Sequence, residues 1–205
     1  MNDIHENDKL SYVDYSGSPI KSISSDILDA ISCEMSKYRQ ISFTIDDNKH
    51  NKLGFDLHQM WGIYADKGYG VCLVFDKASL CERIDETYLS NAVTYDNAVN
   101  SFYIANSDDH LSIQQEIQYH AEEIFFYKRK EWEHEQEYRL IKRFPNLMRE
   151  EYLDYGNALK YIILNSIIEN NDICIFKEML RCLKIHAADI PILIYSNGLL
   201  EYSLF

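Results

Sequence analysis

From Trp132 to Ile141 the chain reads Trp-Glu-His-Glu-Gln-Glu-Tyr-Arg-Leu-Ile, setting carboxylates at alternate positions beside a guanidinium. If residues 137–141 form a strand, Glu137, Arg139 and Ile141 share one face, and Tyr138 and Leu140 take the other. Ile141 then places the charged face at least partly inside, where an unpaired charge is costly. Two kinds of chemistry fit. Glu137 or Glu135 pairs with Arg139 and pins the strand to the preceding helix. Alternatively, a carboxylate stands ready against a developing positive charge, oriented by the neighbouring arginine.

A second group of residues runs from Met60-Trp61-Gly62-Ile63-Tyr64-Ala65-Asp66 into Gly70-Val71-Cys72-Leu73-Val74-Phe75-Asp76. Trp61 or Tyr64 could wall a pocket for a flat ring. Aromatic residues on a helical apolar stripe are ordinarily core, and core packing is the reading these residues favour. The seven histidines show no His-x-x-x-His or His-x-Cys spacing, which argues against a metal site. No G-x-x-x-x-G-K-[ST] loop and no G-x-S-x-G elbow occurs, so a P-loop nucleotidase and an α/β-hydrolase are both unsupported.

The elements that must hold these residues can be read from periodicity. Ser24, Ser25 and Asp26 are each able to cap a helix in which Ile27, Ile31 and Met35 recur on one face. Ile41–Ile45 alternates as a strand. Leu57, Met60, Trp61, Tyr64 and Ala65 draw one helical stripe, which Gly68 is placed to end. Gly70–Phe75 is apolar on both alternating sets, as expected of a central strand covered on two faces, and Asp76 suits the cap of the next helix. Ala92–Tyr95 is a short strand. A long helix is expected from about Leu111 to Glu133, then a strand at 137–141, another at Leu159–Leu164, and a last helix through Ile173, Phe176, Leu180 and Leu183. Pro191–Tyr195 and Leu200–Phe205 flank Asn197-Gly198, a strong hairpin signal. The order lacks regular β-α alternation, so the expected class is α+β with a mixed, largely antiparallel sheet and packed helices. Residues 1–22 read as a polar N-terminal arm and 23–205 as a single α+β domain.

An apolar share of 46% in 205 residues is ample for a core. Twenty basic against 33 acidic residues leave a net charge of −13, which would repel a phosphate backbone, so duplex DNA is excluded as an expected partner. A nucleotide or a protein partner stays open. No apolar run approaches the roughly 20 residues that cross a bilayer, and no membrane partner is expected. The five cysteines form no C-x-x-C pair, consistent with a reduced cytoplasmic setting.

Met-Trp-x-x-Tyr-Ala at Met60–Ala65, Gly-Val-Cys-Leu-x-Phe-Asp at Gly70–Asp76 and Trp-x-x-Glu-x-Glu-Tyr-Arg at Trp132–Arg139 together resemble a bacterial family catalogued as domain of unknown function 2971. The resemblance covers about residues 40–205. The family's N-terminal Tyr-Lys-Tyr-Arg-like strand and its Asn-Asp-Pro turn have no counterpart here. More distantly, the family is similar to ADP-ribosyltransferase folds, which split NAD in a cleft between two small sheets. That likeness implies Glu137 as the catalytic carboxylate and Glu135 as the residue handling the acceptor. It implies Trp61, Tyr64, Tyr138 and Arg139 as binding residues, NAD as substrate, and no metal. The role implied is a nucleotide-handling domain of a bacterial toxin or phage-defence system. The alternative is a non-catalytic protein-interaction module, a shortened member lacking the half of the cleft that holds the dinucleotide.

Overall fold

A computed structural model of the protein describes residues 10–13, 16, 18–19, 23–97, 100–103, 110–145, 152–182 and 190–202. The strands are β1 (Leu10–Val13), β2 (Tyr38–Thr44), β3 (Val71–Phe75), β4 (Tyr88–Ala92), β5 (Thr94–Asp96) and β6 (Asn100–Tyr103). They continue as β7 (Tyr127–Arg129), β8 (Glu137–Arg143), β9 (Leu159–Asn165), β10 (Ile192–Ser196) and β11 (Leu199–Tyr202). The helices are α1 (Ser25–Met35), α2 (His58–Tyr64), α3 (Lys77–Cys81), α4 (His110–Tyr119), α5 (Ala121–Phe125) and α6 (Asn170–Cys182). The class is α+β with mixed sheets, as expected.

The chain forms two units, each built from two stretches of sequence. The first takes Met1–Ile45 and Glu86–Glu150, and the second takes Asp46–Asp85 and Glu151–Phe205. In the first unit, β8 lies between β2 and β4, antiparallel to both. Helix α1 begins where Ser24 accepts a hydrogen bond from the Ile27 N–H at 3.4 Å. Its apolar face, Ile27, Ala30 and Ile31, buries against Ile113 and Ile117 of α4. β1 pairs with β6 and β5 with β7, both in parallel.

In the second unit the strand order is β11-β10-β9-β3. β9, α6 and β10 make a β-α-β unit with parallel strands. The Asn197-Gly198 turn closes the β10–β11 hairpin with both residues at positive φ, 50° and 81°. One face of this sheet packs on α2 through Trp61 and Ala65, meeting Ile163, Leu193 and Tyr195. The other face meets Phe176 and Leu180 of α6 through Ile162 and Ile192. Asp76 caps α3, its Oδ1 accepting from the Ser79 N–H at 2.9 Å.

Two expectations are corrected. The helix read over Leu111–Glu133 is broken twice, at His120 and at Phe126, and Tyr127–Arg129 is a strand instead. The glutamate-rich spacing there is compatible with a helix, but pairing with β5 is a long-range contact that local periodicity does not carry. The strand read as central, Gly70–Phe75, is an edge strand. Cys72 and Val74 pack toward α2, whereas Val71 and Leu73, on the opposite face, remain 41% and 48% exposed. Leu183 and residues 203–205 lie outside the described residues.

Candidate functional site

The site read from the sequence begins where a 3-10 turn, Lys130–Glu135, runs into β8. Gln136 makes the corner in the left-handed region, φ 48° and ψ 49°. Its N–H donates to the Glu133 carbonyl at 3.3 Å, and its own carbonyl accepts from the Ile45 N–H at 2.9 Å. A glutamine held there carries a local conformational cost on the order of 1 kcal/mol. The corner turns Glu135 and Glu137, on either side, toward one ammonium group.

That ammonium belongs to Lys128 of β7. Its Nζ lies 2.5 Å from Glu135 and 3.5 Å from Glu137. Arg139, two residues along β8 and on the same face as Glu137, completes the group. Its Nε and Nη2 each donate at 2.8 Å, one to each oxygen of Glu137. Its Nη1 donates to the Phe125 carbonyl at 2.5 Å. Two cations and two anions thus form a balanced cluster, and all four side chains are buried. The bidentate geometry is the strongest form of such a pair.

The neighbouring strands supply polar cover. Register sets Ser42 of β2 and Asn91 of β4 opposite Arg139. Gln40 Nε2 approaches Glu137 Oε1 at 3.4 Å. The Tyr95 hydroxyl accepts from the Glu137 N–H at 2.8 Å, and Lys128 Nζ stands 4.8 Å over the Trp132 ring. Burial raises the Glu137 carboxyl, but hydrogen bonds and charge from Arg139, with Ser42 and Lys128, outweigh it and leave it below its usual range. Burial, with the charges of Glu137 and Glu135 beside it, pushes the Tyr95 phenol up to about 12. Glu137 is therefore an ionised, fully engaged carboxylate.

The sequence-predicted residues fall into two groups. Glu135, Glu137, Tyr138 and Arg139 are in the first unit, although Tyr138 points to the opposite face of β8 from the cluster. Trp61 and Tyr64 are in the second. Trp61 is core: it is buried, stacks on Tyr195 at 6.1 Å, and donates from Nε1 to the Phe55 carbonyl at 2.7 Å. Tyr64 leaves the stripe and is 51% exposed. Tyr95 and Ser42 were not among the residues singled out. Lys128 heads the segment that continues through Trp132, Glu135, Glu137, Tyr138 and Arg139 and stands out in the sequence with them, but nothing in its spacing showed that it reaches both glutamates. The approach of Tyr95 depends on a separate strand.

These motif residues also fall within one matched segment. Residues 60–140 match DUF2971, a protein family of unknown function. Over that segment the chain is similar to the family. The match opens at the Met60-Trp61 helix and ends within β8, so it contains Trp61, Tyr64, Glu135, Glu137, Tyr138 and Arg139. No curated protein and no solved structure matches the chain. Among the described residues, no group of His, Cys, Asp and Glu could hold a metal ion, and no helix is long and apolar enough to cross a membrane.

Proposed function

We propose that this chain is a non-catalytic protein-interaction module in which the Glu-x-Glu-Tyr-Arg run serves as an internal charge lock. The observation that carries this reading is the state of Glu137. Its side chain is 7% exposed, and both of its oxygens are taken by one guanidinium. A carboxylate that steadies a developing cation must present an oxygen to the reacting centre. Here the cation it meets is Arg139. The acidic balance of the chain, −13 overall, suits a partner with a basic or neutral surface.

The transferase reading, with NAD as substrate and Glu137 as its carboxylate, draws support from one feature. Gln136 is held left-handed between the two glutamates, and its buried Oε1 has no hydrogen-bond partner among the described residues. Strain and an unsatisfied polar atom gather at functional sites. Calorimetric titration with NAD, with nicotinamide release followed for the wild type and Glu137→Gln, separates the two. The module reading expects neither binding nor release. Release by the wild type and not by the variant would overturn it.

A further inference from the structure

One carboxylate oxygen in the second unit is buried and unsatisfied. It belongs to Asp56, which ends a 3-10 turn, Gly54–Asp56, that leads into α2. The turn is tied to the helix, since Trp61 Nε1 donates to the Phe55 carbonyl at 2.7 Å. Tyr195 of β10 packs against both. Its ring meets Phe55 edge-on at 5.7 Å, His58 at 6.0 Å and, in parallel, Trp61 at 6.1 Å. The Tyr195 hydroxyl donates to the Asp56 carboxylate. Burial, with that hydrogen bond and the charge of Asp56, holds the phenol above its usual range, so Tyr195 stays a donor at neutral pH. The remaining oxygen, Asp56 Oδ1, meets no hydrogen-bond donor among the described residues. No cation among them pairs with Asp56. A carboxylate half-served among aromatic rings is costly unless a donor reaches it.

We propose that Asp56 and these rings form a seat for a primary ammonium group, the side chain of a lysine on the partner protein. Ring faces attract cations, and an ammonium, unlike a water molecule, also brings the charge that the carboxylate lacks. A primary ammonium has N–H bonds to give to Oδ1, which a quaternary ammonium has not. A guanidinium binds a carboxylate best through both oxygens, and Tyr195 already holds the other one. Of the four rings only His58 is exposed, so it is the one that can swing aside to admit a side chain. A partner that presents a lysine also suits a chain with a net charge of −13. The source of the ammonium rests on the interaction-module reading, whereas the seat itself does not. Titration with NAD addresses Glu137 in the first unit and a lysine probe addresses Asp56 in the second, so either can fail alone.

The test is an NMR titration of the full chain with Nα-acetyl-lysine methylamide, following the Trp61 indole N–H. The ε-acetylated lysine and the arginine counterparts are run beside it. The series is repeated on Asp56→Asn, which keeps an acceptor for Tyr195 and removes the charge. The proposal expects a saturable shift with lysine, in the millimolar range usual for so small a ligand. The ε-acetylated and arginine probes should each bind about tenfold more weakly or worse, and Asp56→Asn should weaken lysine binding by about tenfold or more. Wild-type protein alone decides the matter even if the variant misfolds. Lysine and its ε-acetylated form shifting the indole alike would overturn the proposal, as would arginine binding as tightly as lysine. So would no shift with any probe, which would mean that Oδ1 is served by a buried water only. Lysine binding unchanged in Asp56→Asn would place the cation elsewhere and overturn it too.

Discussion

Glu137 and Arg139 illustrate how alternation in a strand becomes electrostatics. Residues two apart share a face, so the carboxylate and the guanidinium meet without any turn between them. Burial then forces them to pair, because either one alone would be stranded in a poor solvent for charge. That much was legible from Glu137, Arg139 and the apolar Ile141. The second cation was not, since Lys128 arrives on a different strand. A prediction follows for acid stability. The folded carboxyl of Glu137 lies below its unfolded value, so its contribution is complete above about pH 4.3 and is lost as pH falls through the folded value. Glu34 adds to the same limb: burial raises it, but Arg143 and Lys37 outweigh burial and lower it. Glu137→Gln should therefore flatten the loss of stability below about pH 4.3. Urea midpoints measured across the acid range would show this, and an acid limb as steep as in wild type would count against it.

At the scale of elements, strong local signals survived folding and weak ones did not. The Ser24 cap, the Asp76 cap and the Asn197-Gly198 turn each rest on a residue type whose preferred geometry needs no distant partner. The short β7 depends on its pairing with β5, a long-range contact that an alternation count cannot contain. β3 shows the limit of another rule. Two apolar faces usually mean a central strand, but an edge strand that keeps an apolar outer face reads identically. The junction between α2 and β3 offers a sharper test of packing. A Cβ added at Gly70 would stand 2.9 Å from the Ala65 Cα, a backbone atom that cannot swing aside. Gly70 also donates from its N–H to the Ala65 carbonyl at 2.8 Å. Gly70→Ala should destabilise the protein by about 1–3 kcal/mol. A thermal melt indistinguishable from wild type would refute that close approach.

For the whole molecule, the chain leaves the first unit after Ile45, builds part of the second, and returns at Glu86. The family match from 60 to 140 accordingly draws residues from both units. Its Met-Trp helix went to the core of one, and its Glu-x-Glu-Tyr-Arg run went to a buried cluster in the other. The buried members of each motif, Trp61 and Ala65 in one and Glu135, Glu137, Tyr138 and Arg139 in the other, lie in the interior of their unit. The functional account therefore turns on whether Glu137 and Arg139 stabilise each other in the folded protein. A double-mutant cycle with Glu137→Gln, Arg139→Met and the pair together, read by urea denaturation, measures this directly. Each single change should cost about 3–5 kcal/mol, because it leaves a buried charge behind. The double variant should cost less than the sum by about 2 kcal/mol. Single effects that add to within about 0.5 kcal/mol would show that the two residues act independently, and would contradict the charge lock.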